Sequence, residues 1–489
     1  MKKLLLLIGV AFVAVACVVI LRAGTLSSRQ IQPIPASGII LDSKALTGRL
    51  ERALQFQTIS YEDPAKFNKE EFKGFQKFLE QSFPKVHAAM KKEIIGEYSL
   101  LYTWKGQDDK ELPILLAAHM DVVPAESEPG SKWTYPPFQG HIANGFIWGR
   151  GALDDKESVL GILEAMEKLL QDGYVPRRTI YIAFGHDEET GGQYGAAKIA
   201  GLLNSRQVKL DYVLDEGLTI MEGLIPGVSK PVALLGIAEK GFLSIELSVD
   251  SEGGHSMMPP KQTAIGILGS AISRLEQKPF PARMEAPVRK MFETLSPEMP
   301  FGMRVVFANL WLFEGLVKKK LTSVPRTNAL VRTTTAPTIF QAGVKENVLA
   351  TKARAVVNCR LLPGDTIDNV LLNVKKTIND PRVKVAALKG FKNNADYIAD
   401  TGSKGYKAVE QAIRQVFPQT LVAPGLVIGA TDSRHYSVMT RNILHFTPIR
   451  VRSEDLPRFH GIDERISAKD YEDVVRFYEQ LIRNEGTKQ

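Results

Sequence analysis

The chain has 489 residues, which exceeds the size that one hydrophobic core usually serves, so at least two domains are expected. Hydrophobic residues make up 44% and charged residues 24% of it, as in folded globular proteins, which excludes a largely disordered chain. The net charge of +8 comes from scattered basic residues without the aromatic and basic motifs of nucleic-acid-binding modules, so a nucleic-acid partner is excluded. The one dense basic run, Lys318-Lys319-Lys320, is interpreted as a solvated face.

A basic start and an uninterrupted apolar run open the chain. Lys2 and Lys3 precede the apolar stretch 4–21, which Arg22 closes. The run is at the lower edge of a membrane span and longer than the core of a signal peptide. We therefore expect residues 1–24 to anchor the protein in a membrane, with the body exported to the periplasm or the extracellular space. Cleavage of this segment as a signal, followed by secretion, is the alternative. Residues 25–43 are predicted to be a tether.

The two cysteines restrict the chemistry of any metal site. Cys17 lies in the apolar run, so Cys359 has no partner in the rest of the chain and an internal disulfide is excluded. Zinc ligation by several thiolates is excluded for the same reason. Any metal must therefore be held by histidine and carboxylate side chains.

Strands and helices alternate in the first half of the body, residues 44–236. Helical periodicity begins near Lys44 and recurs after Lys156, whereas residues 113–118, 179–184 and 211–217 are apolar strands that each run into polar residues. This alternation predicts an α/β domain with a mostly parallel sheet. In such sheets, binding sites collect at the carboxyl ends of the strands.

The pattern changes over residues 237–395. Apolar residues alternate with polar ones from Leu243 to Val249, which indicates a sheet with one solvated face. A helix is expected over 265–275, strands near 329–335 and 353–361, and a helix over 365–378. We interpret this part as an inserted α+β module, of the lid or dimerisation type.

The α/β pattern returns over residues 396–489. A helix is expected to end near Val416, a strand to cover 444–446 and a closing helix to cover 471–482. This segment is predicted to complete the first domain.

Three consecutive acids, Asp187, Glu188 and Glu189, follow the strand at 179–184. Buried acids repel one another and lose solvation, so a buried cluster needs a cation or a proton to compensate it. Adjacent Glu residues also point in different directions, so that one can hold a metal while the other acts as a base. A solvated acidic turn is the simpler alternative for these three residues considered alone.

Further polar residues of the same kinds follow other predicted strands. His119 and Asp121 follow the strand at 113–118, and the strand at 211–217 ends in Asp215 and Glu216, either of which could be a ligand. Asp154 and, much later, His460 complete a set of nitrogen and oxygen donors suited to paired zinc ions. Two metals about 3.5–4 Å apart need a carboxylate that bridges them.

The order of five motifs resembles that of the aminoacylase/carboxypeptidase S family of co-catalytic zinc hydrolases. The motifs are Ala-His-Met-Asp-Val-Val-Pro (118–124), Gly-Arg-Gly-Ala-Leu-Asp-Asp-Lys (149–156), Asp-Glu-Glu-Thr-Gly-Gly (187–192), Leu-Asp-Glu-Gly (214–217) and His-Gly (460–461). Four further segments are most similar to the N-fatty-acyl-amino-acid synthase/hydrolase subgroup, namely 254–256, 333–335, 343–348 and 431–434. The resemblance covers nearly everything after the tether.

The resemblance implies a ligand set for two zinc ions. Asp154 bridges the ions, His119 and Asp215 complete one site, and Glu189 and His460 complete the other. The family needs one ligand where this chain has Asp215 and Glu216 side by side, and Asp215 is preferred.

The resemblance also implies catalytic and substrate-binding roles. Asp121 fixes the tautomer of its neighbouring histidine, and Glu188 is the general base. His255, on the inserted module, stabilises the oxyanion, although it also fits a structural role in a glycine-rich turn. Asn347, Arg360 and Arg434 are expected to bind the substrate carboxylate, with salt bridges between domains as the alternative for the arginines.

The function expected from these residues is hydrolysis, with two zinc ions per chain, of the amide between an acyl or peptidyl group and a carboxyl-terminal amino acid. Action on N-fatty-acyl amino acids is the alternative. A non-catalytic binding protein is disfavoured because no ligand and no base is missing. The apolar segment 303–313 fits an acyl-chain groove, a membrane contact or an ordinary core segment, and a homodimer stays open.

Overall fold

The computed structural model describes residues 1–32, 35–36, 38–126, 131–395 and 397–486. The predicted tether and the end of the chain therefore lie partly outside the described residues. The α-helices are α1 (Lys2–Gly24), α2 (Ser43–Ala53), α3 (Lys69–Ser82), α4 (Pro84–Ala89), α5 (Lys156–Gln171), α6 (Ala196–Ser205), α7 (Ala264–Gln277), α8 (Ala286–Leu295), α9 (Phe301–Ala308), α10 (Leu310–Leu321), α11 (Pro325–Val331), α12 (Ile367–Ile378), α13 (Lys404–Val416) and α14 (Ala468–Gly486).

The strands are β1 (Lys91–Ile95), β2 (Ser99–Trp104), β3 (Ile114–His119), β4 (His141–Ala143), β5 (Phe146–Trp148), β6 (Ile180–Gly185), β7 (Val213–Asp215), β8 (Ile220–Met221), β9 (Val232–Glu239), β10 (Gly241–Asp250), β11 (Gly254–His255), β12 (Thr334–Ala342), β13 (Val348–Leu349), β14 (Lys352–Leu361), β15 (Lys384–Ala387), β16 (Leu421–Val427), β17 (Ile443–His445), β18 (Arg450–Val451) and β19 (Arg465–Ser467). Most predicted elements appear within a few residues of these bounds.

A ten-stranded sheet forms the centre of the molecule, in the order β1-β2-β6-β3-β7-β17-β9-β8-β18, with β16 also paired to β9. The chain has an α/β fold, but the sheet is mixed where a mostly parallel one was expected. Pairing is parallel from β6 through β3 and β7 to β17. It is antiparallel where the β1–β2 hairpin joins β6 and where β9 meets β17 and β8. The parallel centre keeps the ends of β3, β6 and β7 at one edge.

Local sequence explains where several helices begin. The side chains of Asp42, Thr263 and Ser403 accept backbone N–H groups in the first turns of α2, α7 and α13, respectively. Helix α5 packs with α14 on the central sheet, and its apolar face contributes to a core that joins both halves of the predicted catalytic domain. The strands and helices of 396–486 thus belong to the same core as those of the first half.

A second, antiparallel sheet lies within the predicted module, in the order β12-β14-β10-β15. Side chains of β10 alternate between buried and half-buried, as expected of a sheet with one solvated face, and its buried face packs with α7 and α12. The chain passes from β9 to β10 through the buried Lys240, whose ammonium donates to the carbonyl oxygens of Ala329 and Arg332, both at 2.9 Å. The function of this module as a lid stays a prediction.

The predicted strand at 329–335 is partly wrong, because residues up to Val331 belong to α11 and β12 begins at Thr334. Pro325 provides the reason, since proline favours the first turn of a helix, and α11 starts on it. The apolar segment 303–313 is split between α9 and α10. Phe307 of this segment packs into a core cluster, whereas Trp311 and Leu312 are exposed, so it is not an ordinary core segment throughout.

Among the residues that the structure describes, α1 is the one helix long and apolar enough to cross a membrane, judged by length and composition. Most of its apolar side chains are exposed, while Val19 and Ala23 are buried. A membrane anchor and a signal segment both remain consistent with this helix.

Candidate active site

The first cluster of the site surrounds His119, the last residue of β3. Its Nε2 atom lies 2.9 Å from Asp154 Oδ1 and 3.3 Å from Glu216 Oε1. One donor atom from each of these three residues lies within 4.8 Å of the others, so the cluster could hold a metal ion. Burial works to lower the pKa of His119, but Glu216, Asp121 and Asp154 together raise it well above its ordinary value. The cluster therefore attracts positive charge strongly.

The second cluster surrounds His460, in the loop before β19. Its Nε2 atom lies 2.9 Å from Asp154 Oδ2 and 3.3 Å from Glu189 Oε1. Hydrogen bonds with these two carboxylates raise the pKa of His460 to about 10. The φ of His460 is 56°, and a Cβ on Gly461 would lie 1.9 Å from the carbonyl oxygen of Pro457, so the turn requires glycine there.

Asp154 lies between the two clusters and uses a different carboxylate oxygen for each imidazole. Burial opposes its ionisation, but His119 and His460 hold the pKa of Asp154 well below its ordinary value. The carboxylate thus has the arrangement that two adjacent metals need in a bridging ligand. The peptide bond between Asp154 and Asp155 is cis.

The preference for Asp215 over Glu216 is corrected by the geometry. Asp215 ends β7 with its carboxylate buried, and its Oδ1 accepts the backbone N–H of Glu216 at 3.0 Å. The Thr431 hydroxyl and the Ser433 amide lie beside it. Glu216, the residue directly after β7, faces His119 instead, and its Oε1 lies 3.3 Å from Nε2.

Asp121 supports both the histidine and the acidic turn. The Nδ1 atom of His119 lies 3.0 Å from the backbone oxygen of Asp121, so Nε2 is left to face the cluster. The Asp121 carboxylate accepts the backbone N–H groups of Glu188 and Glu189, both at 3.1 Å. Burial would raise the pKa of Asp121, but His119, Ser60 and the Glu189 amide lower it. Asp121 therefore orients three residues of the site, His119 through its backbone oxygen and Glu188 and Glu189 through its carboxylate.

Glu188 lines the cavity that Asp154 and His460 also line, but it belongs to neither cluster. Burial is the main cause that raises the pKa of Glu188 well above its ordinary value. The nearby charge of His119 lowers this pKa, and those of Glu216 and Asp432 raise it. A carboxylate with a raised pKa accepts a proton readily and returns it readily. Adjacent Glu188 and Glu189 therefore differ in position, and the division of roles between them stays a prediction.

Sequence reasoning missed the ion pair between Arg150 and Glu464. Glu464 also accepts the backbone N–H groups of Gly151 at 2.9 Å and Leu153 at 2.8 Å, and Arg150 donates to the backbone oxygen of His460 at 3.2 Å. This buried pair ties the loop of Asp154 to the turn of His460. The Gly-Arg-Gly motif was a signal for it, but nothing in the sequence pairs Arg150 with an acid so far along the chain.

Two of the three predicted carboxylate-binding residues, Arg360 and Arg434, line the cavity. The guanidinium of Arg360 lies 4.7 Å from the ring centre of Phe242, and that of Arg434 lies 4.4 Å from the ring centre of Phe391. Burial lowers the pKa of Arg360, and Arg434 lowers it further, so the two guanidinium groups are close enough to repel. An anion between them would relieve that repulsion.

His255 and Asn347 lie outside this group. His255 is exposed on β11, which pairs with β13, and its Nδ1 accepts the backbone N–H of Met257 at 3.1 Å. Asn347 accepts the backbone N–H of Ser256 at 3.1 Å. Neither is among the described residues that line the cavity, so this structure brings the two together but not to the clusters.

The cavity has a volume of about 2320 Å³, larger than the roughly 300–1,000 Å³ of most small-molecule sites. One part holds the acids, His460 and the two arginines. The other part is lined mainly by apolar side chains of α8, α9, α10 and α11, which include Met291, Met303, Val306, Phe307 and Leu330. The cavity that holds the polar clusters thus continues over an apolar lining, which we call the apolar arm.

The fold and the paired clusters define an α/β enzyme whose site lies at the carboxyl edge of the parallel strands. The chain belongs to the Peptidase family M20/M25/M40, whose sequence pattern matches residues 115–484. This membership confirms the resemblance of the five motifs and the expectation of a hydrolase. The family consists of metal-dependent peptidases, and the two clusters provide candidate metal-binding groups.

Two curated relatives illustrate the similarity. The chain is 45% identical over 443 residues to "Probable carboxypeptidase S-like 2" of Dictyostelium discoideum, covering 90% of this chain and 85% of the relative. It is 44% identical over 439 residues to "N-fatty-acyl-amino acid synthase/hydrolase PM20D1.1" of Danio rerio, covering 89% and 85%. Among solved structures, an M20 family metallo-carboxypeptidase from Sulfolobus solfataricus has a TM-score of 0.67 at 18% identity, covering 91% of this chain and 100% of that one.

Proposed function

We propose that the protein is a di-zinc amide hydrolase that cleaves N-acyl amino acids with long acyl chains. The observation that carries this proposal is the apolar arm of the cavity, which continues from the two clusters. A dipeptide needs no such volume, whereas an acyl chain does. The name of the Danio rerio relative, an N-fatty-acyl-amino acid synthase/hydrolase, supports the same substrate class.

The donor set fits two zinc ions. His119 and Glu216 would hold one ion and Glu189 and His460 the other, with Asp154 shared between them. Each group combines one imidazole with carboxylate oxygens, a donor set typical of zinc. The buried acids also need positive charge to compensate them, which two divalent ions supply. When bound, the ions supply Lewis acidity and lower the pKa of water.

The residues of the chain perform the remaining steps. Glu188 takes the proton from the attacking water and delivers it to the nitrogen of the leaving amino acid. Asp121 holds Glu188 and Glu189 in place through their backbone N–H groups. Arg360 and Arg434 bind the carboxylate of the substrate, and the apolar arm excludes water from the acyl chain.

His255 takes part only if the paired strands β11 and β13 move, or if a second copy brings its own pair of strands to the cleft. We retain the predicted role of His255 as oxyanion donor, with the module of residues 237–395 acting as a lid that closes on the substrate. The predicted role of Asn347, beside it, depends on the same closure. The homodimer stays a prediction.

A series of N-acyl phenylalanines tests the proposed substrate. We expect kcat/KM to rise from N-acetyl to N-octanoyl to N-palmitoyl, and to be lowest for a dipeptide. Val306→Trp, which fills the arm, should lower kcat/KM for the palmitoyl substrate at least about tenfold, since one methylene in an apolar pocket is worth about 10–200-fold. Val175→Trp, at an exposed position outside the cavity lining, is the matched control. Faster cleavage of dipeptides than of palmitoyl substrates would instead favour a carboxypeptidase.

We further propose that α1 anchors the enzyme in a membrane with its catalytic body exported. The basic Lys2 and Lys3 at one end and the length of the apolar run support this orientation. Cleavage of α1, followed by secretion, is the alternative. A mass measurement of the mature protein distinguishes the two.

A further inference from the structure

In the part of the chain that the structure describes, helix α1 contacts the body at the corner between α9 and α10. Asn309, fully buried at this corner, donates from Nδ2 to the carbonyl oxygen of Val19 at 3.0 Å and to that of Val305 at 2.9 Å. Val19 and Ala23 are the buried residues of α1, and both lie near its carboxyl end. The corner is therefore fixed to the end of α1 that leads into the body.

This contact sets the level of the corner relative to a bilayer. The 23 residues of α1 extend about 34 Å at 1.5 Å each, close to the roughly 30 Å thickness of a hydrocarbon core. With α1 across the bilayer, Ala23 lies at the interface on the side of the body, and Val19 lies about 6 Å deeper at 1.5 Å per residue. The corner of α9 and α10, which Asn309 joins to Val19, then lies where the headgroups meet the hydrocarbon core.

The side chains exposed at this corner suit a lipid interface. Trp311 is 56% exposed, next to the exposed Leu312, and Phe301 is exposed at the start of α9. Tryptophan is enriched at membrane interfaces because its ring is largely apolar with one polar N–H group, and the N–H of Trp311 donates to Asn309 Oδ1 at 3.2 Å. Lys319 and Lys320, exposed at the end of α10, provide positive charge for lipid phosphates, whereas Lys318 pairs with Glu314 at 3.3 Å.

The same helices line the apolar arm of the cavity. Leu316, Lys320 and Val324 are exposed and also belong to the cavity lining, so the lining reaches the surface on this side of the molecule. We call these three residues the mouth. The mouth lies on α10 and directly after it, with Leu316 about 10 Å and Lys320 about 16 Å along the helix from Asn309.

We propose that the corner of α9 and α10 lies in the interface of a lipid bilayer and that the mouth admits the acylated substrate from that bilayer. The route from the bilayer rests on the proposed function, because it requires an acyl chain in the apolar arm. The amino-acid end enters first, past Lys320, and its carboxylate reaches Arg360 and Arg434. The acyl chain then occupies the arm behind it, and the released fatty acid returns through the mouth.

Quenching of tryptophan fluorescence tests the membrane contact without any substrate. The chain has four tryptophans, of which Trp104, Trp133 and Trp148 are buried and Trp311 is exposed. The full chain is reconstituted in phosphatidylcholine vesicles with and without dibrominated lipid. We expect brominated lipid to quench a component of the emission that Trp311→Phe removes. Unquenched emission of Trp311 overturns the proposal. If the protein is then found to be a dimer that Trp311→Glu dissociates, the corner is an interface with a second copy.

Activity on substrate held in vesicles tests the mouth. Leu316→Glu should lower the ratio of kcat/KM for N-palmitoyl phenylalanine in vesicles to kcat/KM for N-acetyl phenylalanine by about tenfold. Leu372→Glu, an equally exposed leucine on α12, is the matched control and should leave the ratio unchanged. Equal ratios in the two variants overturn entry through the mouth. Failure of the wild type to cleave any N-acyl amino acid refutes the proposed function instead, and the quenching result still decides the membrane contact.

Discussion

Exchange of a single carboxylate for an amide separates the roles of Glu188 and Glu189. Both residues give their backbone N–H groups to Asp121, so a Gln at either position keeps the turn. Only Glu189 has a carboxylate oxygen close to His460, at 3.3 Å, and only Glu189 belongs to a candidate metal cluster. Glu188→Gln should therefore remove a proton acceptor and leave the metal-binding groups intact.

The expected loss follows from the role of a general base. Such a group contributes about 10²–10⁴-fold to the rate, or about 2.7–5.5 kcal/mol of barrier at about 1.36 kcal/mol per factor of ten. We expect Glu188→Gln to lower kcat by that factor with two zinc ions retained. Glu189→Gln should lose zinc from the cluster of His460, and its activity should recover in part when zinc is added in excess.

The assay combines zinc content after dialysis, kcat on an N-acyl amino acid, and thermal unfolding as the control for folding. The reasoning is refuted if Glu188→Gln loses zinc to the same extent as Glu189→Gln. It is equally refuted if Glu188→Gln retains near-normal kcat, because a second group would then be the base.

Three further predictions follow from other parts of the molecule. A chelator should remove about two zinc ions per chain and abolish activity, which zinc should restore; a metal-free chain with full activity would contradict the ligand set. His255→Ala should lower kcat by about 10²–10³-fold with zinc content unchanged, as for one lost oxyanion donor; altered thermal stability at normal kcat would make His255 a structural residue of its turn. Burial lowers the pKa of Lys240 to about 7, whereas the pKa of a lysine in an unfolded chain is about 10.4. Between these two pH values the unfolded state binds more protons than the folded state, so the free energy of unfolding rises with pH. Urea unfolding from pH 7 to 9.5 measures the slope of the free energy of unfolding against pH, which should be lower in Lys240→Met by up to about 1.4 kcal/mol per pH unit. Equal slopes in the wild type and the variant would disprove this prediction.

The sequence predicts those parts of the site that depend on strand ends. Apolar strands followed by acids and histidines locate His119 and Glu189, since parallel strands place their carboxyl ends at one edge. The motif order adds Asp154 and His460, which no periodicity brings together. The sequence could not decide whether Asp215 or Glu216 is the metal ligand, because this depends on where each side chain points at the end of β7.

Features that depend on tertiary contacts were missed. The ion pair of Arg150 and Glu464 joins residues far apart in sequence, and either residue alone has the pattern of a solvated charge. Residues 329–331 were predicted to begin a strand from their apolar pattern but belong to a helix, because Pro325 favours the start of a helix. The contact of Asn309 with Val19 also has no sequence signal, since an asparagine between two apolar helices is ordinarily a helix cap.

The tie between Arg150 and Glu464 has a consequence for the order in which the enzyme is made. These residues are 314 positions apart, and His460 belongs to the same late segment. A nascent chain that already includes Asp154 and Glu189 still lacks His460, which provides the imidazole of the second cluster. It also lacks Glu464, the acid that fixes the loop of Asp154. Domains generally fold in the order in which they leave the ribosome, but this site is assembled only when its last segment arrives. Incomplete chains therefore hold no working peptidase, and synthesis itself delays the activity until the whole protein exists.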